Sequence, residues 1–464
     1  MQAVLLRAAE TEDAWEPALG ALLPEAGRRE RLQNDAESLV NDCVASGHVP
    51  PLFGFLVAIK DTIHVSGMET RAGSLLPPSL LAGDEAPVVT DLKAAGALIL
   101  GKAATSEFAH FEPAATRNPV APGHTPGGSS SGPAAAVAAG LCDIAVGTQT
   151  IGSISRPAAY CGVVGFKPSK GRISIKGIIP CSPSIDQVGF FTRHVAPLRA
   201  VCSATVANWE PTVRLGWSPT DTVGSLEPVI SEDPQADFHE TIRSKETPLN
   251  AAGERARVKR LGVPDGPFLR GCEGAALADF EKTLGALARH GFEIVRVPAL
   301  EDIADIDRAH RTLEAFEIAD LHREWFRDYA ARYRPKTVEL IIQGQNVAPI
   351  EAERGRQSTL ELRHRLESLM AQHRLDGWIA PAATGPPPFG LGSTGDPRMS
   401  VPWSHSGLPT VTLCTGHITG ASSQVLPLAV TVAGHWGADE ALLCLGEDLE
   451  AAVGEKHWPL DPPG

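Results

Sequence analysis

The sequence predicts an α/β protein in which a mixed central β-sheet is surrounded by α-helices. Three observations carry this. Short apolar runs of strand length alternate with helical stretches from about residue 53 to 200. Glycine-rich turns separate them. Hydrophobic residues make up 43% and charged residues 21% of the 464, an ordinary globular profile with enough apolar material for a large core. Length alone allows two or three domains, but large α/β enzymes of this size also form one.

The elements follow in order. Residues 1–50 show Ala, Leu, Glu and Arg at helical period and read as an amphipathic helical region. Residues 52–60 and 96–100 read as strands, with a helix over 87–95 leading into the second. The Ala-rich stretch 134–139 reads as a short helix that stops at Gly140, with Pro133 suited to its first position. Residues 144–146 have the pattern of a buried strand. Five prolines between 205 and 257 break the regular pattern, so this stretch reads as an irregular insertion. The pattern restarts with a strand over 260–264, a helix over 275–291 that ends in glycine, and a strand over 292–297. Long helices are expected over 304–333 and 350–373, with Phe316, Trp325 and Phe326 taken as core residues before pocket residues. The expected division is therefore one domain, 1–464, made of a helical region (1–50), a core (52–200), the insertion (205–257) and a C-terminal part of the same domain (260–464).

Composition narrows the function. The net charge of −14 argues against binding nucleic acid through phosphates, though a cleft can carry a field of either sign. Eight dispersed cysteines form no C-x-x-C or metal-like cluster, which fits reduced thiols. The first ten residues lack a signal-peptide pattern, and no apolar run reaches the roughly 18 residues of a membrane span. A cytoplasmic protein that does not bind membranes is expected.

Three segments carry chemistry. Gly54-Phe55-Leu56-Val57-Ala58-Ile59-Lys60-Asp61 is an apolar strand whose end holds an amine. Burial would lower its pKa and free a base, whereas a solvated lysine beside Asp61 would be inert. Thr125-Pro126-Gly127-Gly128-Ser129-Ser130-Ser131-Gly132-Pro133 is a loop that delivers serines to a helix N-terminus, where N–H groups favour negative charge. Taken alone, the segment reads first as a serine cap on a flexible glycine loop. Thr150, Ile151, Gly152 and Ser153 offer consecutive backbone N–H groups, either as an oxyanion site or as a plain turn. The formal G-x-S-x-G at 128–132, with Ser130 at its centre, lacks the preceding strand that a nucleophile elbow requires. A phosphate-binding P-loop is excluded because no Gly-Lys-Ser/Thr follows.

Together these segments, with Gly147-Thr148-Gln149-Thr150-Ile151-Gly152-Ser153-Ile154-Ser155-Arg156-Pro157, resemble the amidase signature family of serine hydrolases. The likeness runs from the Lys60 strand to Ser174 and continues more weakly to the C-terminus. The separations of 69 residues from Lys60 to Ser129 and 24 from Ser129 to Ser153 look like those of malonamidase-like members. The resemblance implies the family's mixed-sheet fold and a Ser-Ser-Lys triad. Ser153 would be the nucleophile, Ser129 the bridging serine joined through a cis peptide, and Lys60 the base. The backbone N–H groups of Thr150, Ile151, Gly152 and Ser153 would form the oxyanion hole. The segment 184–193 resembles a family stretch that is mainly structural.

The departures are Gln149, Ile151 and Ser155, where many members have Asp, Gly and Arg. Arg156, three residues after Ser153, is expected either to hold a substrate carboxylate or to bridge structurally. Ser130 is expected near the substrate or bonded within its loop. His405, in Trp403-Ser404-His405-Ser406-Gly407, is a further pocket candidate. The implied reaction is hydrolysis of a linear amide in a small substrate, with carboxylate-bearing substrates favoured if Arg156 faces the pocket, and with no cofactor or metal. A possible homodimer is the only macromolecular association expected. The alternatives are the glutaminase subunit of a tRNA-dependent amidotransferase, and an acyl-transferring or inactive binding member of the same fold.

Overall fold

The structure is a computed structural model describing residues 1–210, 258–420 and 424–454. Most of the expected insertion, from residue 211 to 257, lies outside the described residues.

Ten strands form one mixed sheet. In chain order they are β1 (Leu56–Lys60), β2 (Leu98–Ala103), β3 (Ile144–Gln149), β4 (Val164–Lys167), β5 (Gln187–Thr192), β6 (Arg260–Asp265), β7 (Glu293–Pro298), β8 (Gly377–Pro381), β9 (Thr410–Thr419) and β10 (Val425–Ala433). Their spatial order is β2-β1-β3-β5-β4-β9-β10-β8-β6-β7, so strands from both halves of the chain share one sheet. β2, β1 and β3 run parallel, β3 through β8 pair antiparallel, and β6 runs parallel to both β8 and β7.

The central strands are buried along their whole length, as the apolar runs predict for a sheet covered on both faces. Alternation sets which side each residue serves. Val57 and Ile59 join the larger core on one face. Leu56 and Ala58 join the core under helices Gln2–Leu19 and Ser131–Ala138 on the other. Lys60 has the parity of Leu56 and Ala58 and ends its strand, so the chain aims its amine at the start of helix Ser131–Ala138. That helix is built almost wholly of Ala, Gly and Val and is buried throughout. A Cβ on Gly132 would lie 2.4 Å from both the Ala104 nitrogen and the Ala21 carbonyl oxygen, so only glycine lets this turn approach so closely.

Two expected boundaries move. The helix expected to open at Pro133 opens at Ser131, with Ser130 at its cap. Proline is tolerated in this first turn because its missing N–H would have no helical partner there. The helix expected over 304–333 divides into Ile303–Leu321, Arg323–Tyr329 and a 3₁₀ turn, Ala330–Arg332. The break buries His322, whose Nδ1 lies 2.9 Å from the Tyr333 hydroxyl and whose ring meets Phe108 edge-on. Trp325 and Phe326 pack beside that cluster, and Phe316 packs with Ile185, Leu313 and Ala352, as core residues.

Helix Ile303–Leu321 faces the site and is set by helix Pro335–Gln345, against which it packs. At their crossing a Cβ on Gly344 would fall 1.7 Å from the Ala315 carbonyl oxygen. No side-chain rotation can relieve a clash with backbone. Gly344→Ala is therefore expected to cost about 1–3 kcal/mol or more. It should lower the thermal unfolding midpoint, and an unchanged midpoint would show that the two helices separate freely.

Candidate active site

The site forms where the C-terminal ends of the parallel strands β1 and β3 meet two loops. Ligands in open α/β sheets commonly bind at this end. Lys60 closes β1 and is fully buried. Its Nζ lies 2.7 Å from Ser129 Oγ, 2.7 Å from Thr148 Oγ1 and 3.4 Å from the Thr148 carbonyl oxygen. Burial pulls the amine down from the ordinary 10.5 to about 7, and Asp186 pulls weakly the other way. The unfolded chain binds that proton more tightly. Burying Lys60 thus costs stability below about pH 7, and the cost fades as pH rises toward 10.5.

Ser129 sits in the first loop, joined to Gly128 by the expected cis peptide. Its carbonyl accepts from the Ser106 N–H at 3.1 Å. The next serine turns elsewhere. Ser130 Oγ donates to the Thr148 carbonyl at 3.1 Å, in space left by Gly147. The structure thus assigns Ser130 to the loop: the residue is wholly buried and does not line the cavity.

The second loop, 150–154, is held from three sides. Gln149 Oε1 accepts from the N–H groups of Ile154 at 2.7 Å and Ser155 at 2.9 Å. Gln149 Nε2 donates to Ser404 Oγ at 2.9 Å, and Ser404 donates in turn to the Ile151 carbonyl at 2.5 Å. Thr150 Oγ1 donates to Asp186 at 2.5 Å, whose carboxyl burial pushes up to about 6. A glutamine here acts as donor and acceptor at once. An aspartate in its place would demand Ser404's single proton and leave the Ile151 carbonyl without it.

Both loops open on one cavity, lined among others by Ser129, Thr150, Ile151, Gly152, Ser153 and Arg156. Arg156 is fully buried and ties three segments together. Its Nε donates to the Thr394 carbonyl at 2.6 Å, and its Nη2 to the Gly128 carbonyl at 2.6 Å and to Thr394 Oγ1 at 3.1 Å. Nη1 is buried with no hydrogen-bond partner among the described residues. Burial lowers this guanidinium to about 10. Arg156 is therefore a structural bridge that still holds an unused donor at the cavity wall.

The expected pocket role of His405 gives way to a place behind the second loop. Its Nε2 lies 2.8 Å from Ser358 Oγ and its Nδ1 3.3 Å from His310 Nδ1, and burial lowers it to about 4. Sequence reasoning missed Thr148, Ser404, His110 and Glu314. The last two line the cavity, and Glu314 arrives from helix Ile303–Leu321, more than 150 residues along the chain from Ser153. Among the described residues no group of three or more His, Cys, Asp or Glu side chains could hold a metal ion, and no helix is long and apolar enough to cross a membrane.

A family model described as Amidase matches residues 29–443. A glutamyl-tRNA(Gln) amidotransferase subunit of Synechococcus sp. (strain RCC307) is 41% identical over 212 residues, 44% of this chain and 43% of that protein. The chain thus aligns with less than half the length of this curated relative. A crystal structure of an amidase superposes with a TM-score of 0.77 at 28% identity, covering 97% of this chain and 96% of that one. A peptide amidase in complex with the competitive inhibitor chymostatin superposes at 0.76 and 26% identity, covering 98% and 95%. These matches correct one expectation. A protein whose only association is a second copy, remote from nucleic acid, is not what the curated relative is: it is one subunit of an amidotransferase named for a tRNA.

Ser404→Ala would strand two buried groups, Gln149 Nε2 and the Ile151 carbonyl. It is expected to destabilise the protein by about 1–3 kcal/mol, read as a lower urea midpoint. No shift would mean that the loop does not depend on this bond.

Proposed function

The chain belongs to the amidase family, hydrolases of carbon–nitrogen amide bonds, and from that premise we propose that it cleaves a linear amide of a small substrate through an acyl-Ser153 intermediate. The observation that carries this reading is the 2.7 Å contact between Ser129 Oγ and a buried amine with a pKa of about 7, beside the cavity that Ser153 also lines.

A neutral Lys60 has a lone pair to offer. It takes the Ser129 proton while Ser129 takes that of Ser153, and the freed Ser153 oxygen attacks the amide carbon. A weak hydroxyl nucleophile needs such a base. The N–H groups of Thr150, Ile151, Gly152 and Ser153 receive the developing oxyanion. Gly152 has the clearest support: Ser404 fixes the Ile151 carbonyl, and the N–H of the same planar peptide points the opposite way. The proton then returns along the relay to the leaving nitrogen, the C–N bond breaks, and water releases the acid from Ser153. The unpartnered Nη1 of Arg156 favours substrates that bring an oxygen to it, a carboxylate above all.

A second reading has its own support. The 41% identity to an amidotransferase subunit favours a glutaminase that works with partner proteins. Gln149, Ile151 and Ser155, which depart from the commoner pattern, favour the first reading. Ammonia release from glutamine that requires added partner proteins would decide for the second.

Two outcomes test the relay. Ser153→Ala should abolish labelling by a serine-directed fluorophosphonate, read by intact mass, and lower amide hydrolysis by roughly 10⁴–10⁶-fold. Equal labelling of both proteins would move the nucleophile elsewhere. In the wild type, kcat/KM should fall about tenfold per pH unit below about pH 7, because Lys60 binds a proton there and ceases to be a base. A flat profile from pH 5 to about 8 would remove Lys60 from that role.

A further inference from the structure

The cavity has a second polar wall that the hydrolytic relay leaves unused. His110 and Glu314 both line it, together with Ser153 and Arg156. Glu314 is 2% exposed, a position where a carboxyl group is costly unless its oxygens are matched by donors. Its Oε1 is matched: His110 Nδ1 lies 3.2 Å away and Cys181 Sγ 3.6 Å away. Among the described residues no donor bonds to Oε2. This wall therefore offers an acceptor at Glu314 Oε2, while Arg156 Nη1 offers a donor.

We propose that Glu314, supported by His110, is a substrate-binding residue that receives an N–H donor group of the substrate, an ammonium or a second amide nitrogen. The substrate class becomes a small amide carrying a nitrogen donor beyond the scissile bond, in addition to any oxygen that meets Arg156. The inference rests on the Ser153 cavity being where the amide binds. A donor that meets an otherwise unbonded acceptor discriminates between substrates, because an analogue without it leaves that acceptor bare. A purely structural Glu314 would instead serve only His110, Cys181 and the nearby charge of Arg311, and the substrate's far end would not matter.

The test uses the full-length protein and two amides of nearly equal size, 3-aminopropanamide and butanamide, which differ by an ammonium in place of a methyl group. Each is titrated as a protector of Ser153 against a fluorophosphonate, so that no turnover is needed. The aminoamide is expected to protect wild type at about tenfold lower concentration than butanamide, or better. In Glu314→Gln that ratio should fall to about one, and Glu314→Asp should recover part of it. A ratio measured within one preparation is independent of the folded fraction. Wild type with no preference, or Glu314→Gln with the preference intact, would overturn the assignment. Failure of the fluorophosphonate to label wild type would instead remove the serine-hydrolase reading, and this inference with it.

Discussion

The site depends on one constraint: a lysine amine buried from bulk solvent at the end of a buried strand. Among the described residues Lys60 makes no ion pair. Its neighbours are two hydroxyls and a carbonyl, groups that can bond either form of the amine but cannot repay the full cost of a buried charge. The neutral amine is thereby brought within reach of neutral pH. Everything around it serves to keep that pocket closed. The Ala-rich helix Ser131–Ala138 lies tight on the sheet because Gly132 permits it, and Gly147 makes room for Ser130 to pin the neighbouring strand.

A shifted pKa does not by itself mark a base, and the chain contains its own control. Lys167 is equally buried and is also lowered to about 7. Its bonds go to the Gln187 side-chain oxygen and the Leu408 carbonyl. Neither has a proton to give, so Lys167 can only brace β4 against its surroundings. Lys60 differs because one of its partners is a hydroxyl that opens on a cavity. Desolvation supplies the basicity in both places, and geometry decides where it can be used.

The second loop shows how a departure from a common motif can be absorbed. Gln149 grips the N–H groups of Ile154 and Ser155 with its oxygen and passes its own N–H to Ser404, 255 residues away. Arg156 repeats the device in the opposite sense, with donors fixed on carbonyls of two separate loops. The turn is thus clamped between the β3 strand and the C-terminal part of the chain.

The local parts are legible in the chain: the strand that ends in Lys60, the serine loop, the turn at 150–153 and the alternation that makes an α/β sheet. Each is written in a few consecutive residues, where spacing and glycine placement leave little choice. Which distant groups those parts meet is settled by packing between segments. Ser130 and His405 have the chemistry of pocket residues, yet their partners, the Thr148 carbonyl and Ser358 with His310, take them out of it. Glu314 sits in a helix with no local signal of chemistry, and Ser404 beside the singled-out His405, and both reach the site only because helices pack there. The helix expected across 304–333 breaks at His322 for the same reason: burying one imidazole against Phe108 and Tyr333 outweighs local periodicity. Periodicity fixes what a segment is, but hydrogen-bond partners and burial arise between segments, and no local pattern encodes them.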